Sequence, residues 1–78
     1  MNIHIMKDIL LYEHEINKID VIISNYKNTY EIIKQIEMGD NIYKLNELNK
    51  IMDEIISFIE KKDKLVDELY KKKLILLS

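Results

Sequence analysis

Gly39 is the only glycine among the 78 residues of this chain, and there is no proline. Those two residue types are the strongest helix breakers, so almost nothing in the chain interrupts a helix. The one interruption falls at the midpoint, between Met38 and Asp40. A glycine just past a helix end readily takes the left-handed conformation, because it has no Cβ to clash. Asp40 or Asn41 then offers a side-chain oxygen to the first free N–H groups of a second helix. Glu37-Met38-Gly39-Asp40-Asn41 therefore reads as helix stop, turn and helix start.

The apolar residues on either side agree. Ile5, Ile9, Tyr12, Ile16, Ile19, Ile23, Tyr26, Tyr30 and Ile33 recur at alternating intervals of four and three residues. That is a heptad stripe, and a strand would need alternation instead. Met6, Ile22 and Ile36 widen it. In the second half, Leu45, Leu48, Met52, Ile55, Ile59, Val66, Leu69 and Leu76 fall on one stripe, interrupted by Lys62 and Lys73. Ile42, Ile51, Ile56, Phe58, Leu65 and Tyr70 flank it on both sides. A two-stranded pair needs only a narrow seam, whereas a face this broad suits a bundle of three or four helices. The expected fold is all-α: a long antiparallel helical hairpin, coiled-coil-like, that dimerises into a four-helix bundle. It forms a single domain over residues 1–78, with helix 1 near 3–38, a turn at 39–40 and helix 2 near 41–75. Two polar stretches, 24–28 and 60–64, are the places where a helix would kink if it does.

Folding back at Gly39 sets residue i against roughly residue 79 − i, by the equal rise of two helices. Lys62 then faces the region of Ile16 and Asn17. A seam lysine can fix register at some cost in stability. It can also pack its stem and send its ammonium to Glu13 or to solvent.

Charge and composition narrow the function. Net charge is −2, and neither half is basic: residues 1–38 carry four lysines and six acids, residues 39–78 eight of each. A nucleic-acid binder normally presents a basic face. No apolar run approaches the ~20 residues that span a bilayer. The start of the chain, acidic at Asp8, Glu13 and Glu15, does not read as a signal peptide, so the cytoplasm is the default location. With no cysteine, disulfides are excluded. A core this thin rarely supplies more than ~3–5 kcal/mol, which makes association with itself or with a partner the expected route to stability.

Catalytic constellations are missing. His4 and His14 lie on the outer side of the first stripe and lack the spacing of a metal pair, so they read as surface residues. Tyr12, Tyr26 and Tyr30 interleave with isoleucines and read as core. Ser24, Ser57 and Ser78 have no local nucleophile signature. Carboxylates pair with lysines along the polar faces, as in Glu47 with Lys50 and Glu60 with Lys64. No enzyme activity, cofactor or metal is expected. At the end of helix 2, Leu74-Ile75-Leu76-Leu77 follow three lysines. They are expected to cover the open end of the hairpin near Ile3, Ile5 and Met6, or to bind a partner.

The central segment carries a family resemblance. Residues Tyr30 to Asp40 form an apolar helix ending in a Gly-Asp turn. It runs into Asn41-Ile42-Tyr43-Lys44-Leu45-Asn46-Glu47-Leu48, and later Asp53-Glu54-Ile55-Ile56. This pattern resembles flagellar export chaperones of the FliT and FlgN type, over residues 30–60. The resemblance implies a cytoplasmic helical hairpin or bundle that holds a filament subunit through an apolar helical groove. The expected function is accordingly a small adaptor or chaperone that adds a partner's helix to its own. The expected partner-binding residues are Ile51, Ile56, Phe58 and Leu65 on the flank of helix 2, with Leu74, Leu76 and Leu77 at its end. The partner is another protein's helix, a second copy of the chain, or both. Two alternatives stay open. One is a homodimeric RNA binder using Lys44, Lys50, Lys61, Lys64, Lys71 and Lys72. The other is a phage or mobile-element inhibitor that docks on a host protein.

Overall fold

A computed structural model describes residues 2–36 and 41–78. Two long helices, α1 (Ile3–Gln35) and α2 (Asn41–Leu77), pack along each other in a rod of 61 × 15 × 13 Å. Among the described residues there is no strand. Both helices run unbroken through the polar stretches at 24–28 and 60–64. In the first of these Thr29 turns its hydroxyl back to the Asn25 carbonyl at 3.0 Å, so its side chain is satisfied without leaving the helix.

Asn2 caps α1. Its backbone is extended, and its Oδ1 accepts the Ile5 N–H at 3.1 Å, which satisfies one of the free donors of the first turn. The helix ends at Gln35 rather than at 38. Ile36 has turned to extended backbone (φ −71°, ψ 126°) while its N–H still donates to the carbonyls of Ile32 and Ile33. The expected Gly39 turn and the Asp40 cap lie outside the described residues. Helix α2 continues to Leu77, beyond the expected 75.

The stripe on α1 is the one the spacing predicts. Ile9, Ile16, Ile19 and Ile23 are buried, and Ile5, Tyr12, Tyr26, Tyr30 and Ile33 are half-buried. The stripe on α2 is not the expected one. The inward residues are Lys44, Leu48, Ile51, Ile55, Phe58, Lys62, Leu65, Leu69, Lys72 and Leu76, again at intervals of three and four. Ile55 is buried against Ile19 and Ile23, with Tyr26, Ile51, Phe58 and Leu65 packed around them. Relative to expectation α2 is rotated by one heptad position, about 50°. Ring burial accounts for the choice, since aromatic side chains carry the largest apolar surface. The adopted phase stacks Phe58 on Tyr26 with ring centroids 5.8 Å apart, and Lys61 sets its ammonium 5.8 Å from the Phe58 centroid.

Lys62, inside this seam, meets Asp20 at 2.6 Å rather than Glu13. Helical side chains lean toward their own N-terminus. In an antiparallel pair that lean carries Lys62 one turn further along α1 than its Cα, from Ile16 to Asp20. Glu13 is taken by Lys73 at 3.7 Å, and Asp8 by Lys72 at 3.6 Å. In all three interhelical pairs among the described residues α1 supplies the acid and α2 the lysine. Each side chain is partly solvated, so the contribution of each pair is small, about 0–1 kcal/mol.

Two expectations follow. Ile55→Ala should cost about 2–5 kcal/mol, enough to abolish cooperative melting by circular dichroism in a chain this small. Lys62→Met, which extends the apolar seam at a position where a lysine weakens it, should instead raise the melting temperature. A fall would mean that the Lys62–Asp20 pair is a principal support.

Candidate functional site

The rotation of α2 decides which apolar residues are left outside. Adding four residues to a seam position gives its neighbour on the helix surface. Beside the seam on α2 stands a row of every seventh residue: Leu45, Met52, Ile59 and Val66. All four are exposed, at 58%, 39%, 39% and 43%. The next row outward adds Ile56, Tyr70 and Leu77, all exposed as well. The opposite side of α2 is polar, with Lys50, Asp53, Glu54, Ser57, Glu60, Lys64, Asp67 and Lys71. The apolar face of α2 is thus wider than the part that α1 covers. Its inner half meets α1, and its outer half meets solvent.

From Leu45 to Val66 the outer row runs about 31 Å at the helical rise of 1.5 Å per residue. Beside it, α1 presents Glu13, Asp20 and Lys27. Near the middle, Met52 and Ile55 share a shallow groove of about 410 Å³ with Lys27, Tyr30 and Glu31 of α1. The arrangement is an apolar strip bordered by charges of both signs.

The expected partner-binding residues separate into two groups. Ile51, Phe58 and Leu65 are not on a free flank: they are packed against the Ile19–Ile23–Ile55 core. Ile56, Leu74 and Leu77 are exposed, and Leu76 is half-buried. Leu76 and Ile75 line a groove with Asn2 and Met6, so the end of α2 partly covers the open end of the hairpin, while Leu74 and Leu77 stay outside. The row Leu45, Met52, Ile59 and Val66 was assigned to the seam by spacing. Its strict sevenfold recurrence was the available signal, but Ile51, Phe58 and Leu65 recur just as strictly.

The charged residues form a neutralised surface. Lys50 pairs with Glu47 at 3.4 Å, as expected, but no ion pair joins Glu60 to Lys64. Lys18 pairs with Glu15 at 3.5 Å. Lys71 lies 3.1 Å from Asp67 and 3.6 Å from Glu68. The hydrogen bond to Asp67, with the charges of Asp67 and Glu68, holds the Lys71 ammonium above its ordinary pKa. Lys72 is spent on Asp8 across the seam. Of the six lysines a nucleic-acid face would need, three are therefore occupied by carboxylates. His4 and His14 are exposed, and among the described residues no group of three or more His, Cys, Asp or Glu is placed to hold a metal. No helix among them is long and apolar enough to cross a membrane.

Comparison with known proteins gives no assignment: no family profile, no curated protein and no solved structure matches the chain.

The two rows are expected to respond differently to charge. Ile51→Asp with Phe58→Asp should collapse the helical signal, because both side chains sit in the seam. Met52→Asp with Ile59→Asp should retain more of it, measured by circular dichroism at matched concentration.

Proposed function

We propose that this protein is a small non-catalytic adaptor or chaperone that binds another protein by accepting an amphipathic helix onto the outer apolar face of α2. The observation that carries the reading is the exposed row Leu45, Met52, Ile59 and Val66, extended by Ile56, Tyr70 and Leu77. An incoming helix with apolar residues at i, i+3, i+4 and i+7 would lie along this row as α1 lies along the seam. The hairpin then contributes two helices of a three- or four-helix bundle, and the remainder come from the partner or a second copy. Such a role needs no cofactor and suits a cytoplasmic protein. The resemblance of residues 30–60 to flagellar export chaperones gives it one concrete form, in which the helix belongs to a filament subunit. A phage-encoded inhibitor docking on a host protein would use the same face. The pairing of Lys50, Lys71 and Lys72 with acids weighs against the RNA-binding alternative, which needs uncompensated positive charge.

Site-specific photo-cross-linking in the cells of origin tests the reading. A cross-linker replacing Ile59 should give adducts with a different protein, and one replacing Asp67 on the polar side should give few. Adducts with RNA, none at all, or only adducts with the chain itself would count against an adaptor.

A further inference from the structure

We infer that, when no client helix is bound, the outer face of α2 is covered by α2 of a second copy, packed antiparallel about a two-fold axis passing between Met52 and Ile59. The inference rests on the helix-accepting reading above and names the first occupant of that face.

Area is the first ground. A compact 9.4 kDa monomer exposes about 5,000 Å² by the usual scaling of surface with mass. This chain exposes 6,215 Å². The excess of about 1,200 Å² belongs to a rod of 61 × 15 × 13 Å, whose open sides leave more surface than the ~800 Å² that each partner contributes to a standard stable interface. Much of what is exposed is apolar: Leu45, Met52, Ile56, Ile59, Val66 and Tyr70 all stand out of the rod.

Self-complementarity is the second ground. A two-fold interface brings the same patch of each subunit together, so each residue meets the mirror position of the row. The outer row is symmetric about the point midway between Met52 and Ile59. Reversing it sets Met52 against Ile59 of the other copy and Leu45 against Val66, apolar against apolar at every step. Ile56, in the adjoining row, falls close to the axis and meets its own counterpart. A parallel pairing would instead bring Lys73 against Lys73 at the next step of the row.

Beside the outer row, the groove that Met52 and Ile55 line is bordered by Lys27 and Glu31 of α1. On this side α1 offers Glu13, Asp20, Lys27 and Lys34 and no continuous apolar row. The dimer is therefore joined mainly through α2.

The chain has no cysteine, so single cysteines report the register directly. Light scattering of the purified protein should give twice the 9.4 kDa chain mass, falling to the chain mass on dilution or in Met52→Asp/Ile59→Asp. Under mild oxidation Ile56→Cys should form a disulfide dimer. Met52→Cys mixed with Ile59→Cys should cross-link far more than Met52→Cys alone. A chain that stays monomeric at every concentration overturns the second copy as occupant, while heterologous adducts at Ile59 would still support the adaptor. A dimer in which Met52→Cys links to itself better than to Ile59→Cys overturns the antiparallel register. Adducts at Ile59 with the chain alone would support the dimer and count against the adaptor.

Discussion

Everything in this molecule hangs on one line of contact between two helices, centred where Ile19 and Ile23 of α1 close over Ile55 of α2. There is no second layer behind it. Among the described residues no side chain is completely enclosed, because in a two-helix rod every seam residue has solvent within a side chain's width. A core of this kind excludes water along a strip rather than within a volume. Its stability scales with strip length, which is why helices of 33 and 37 residues are needed where a thicker domain would manage with a dozen.

The two helices contribute unequally to that strip. Helix α1 buries four isoleucines and gives the seam an almost purely apolar stripe; among its described residues α2 buries only Ile55 and admits Lys62 and Lys72. The lysines are matched by acids on α1, at Asp20 and Asp8. Solvated ion pairs of this sort contribute little stability, but they discriminate. A shifted or parallel alignment would strand a lysine in the seam without its acid. Apolar stripes tolerate sliding, so the charged residues supply the register that isoleucines repeating every three and four residues do not.

The same imbalance leaves the outer face of α2 exposed. An isolated hairpin needs one apolar seam per helix, and α1 has one. Helix α2 carries the equivalent of two, side by side, separated by roughly a quarter turn. A face this broad suits a bundle of three or four helices better than an isolated pair. The proposed adaptor role and the proposed antiparallel dimer both draw on this exposed apolar surface, and they differ in which helix would supply the second neighbour.

Periodicity and helix-breaker content are local properties, and they determined what local physics can determine: two helices, their approximate ends, the α1 stripe, and the exposed placement of His4 and His14. The stripe on α1 was legible because only one apolar phase exists there. On α2 two phases are apolar, one through Ile51, Phe58 and Leu65 and one through Met52, Ile59 and Val66, and spacing alone cannot rank them. The tertiary structure chose the first, since it places Phe58 against Tyr26 and buries the larger ring. That choice moved three expected partner-binding residues into the core and left the other row outside. The partner of Lys62 was decided the same way, by how far a long side chain leans across the seam. Such distances exist only once the helices lie side by side.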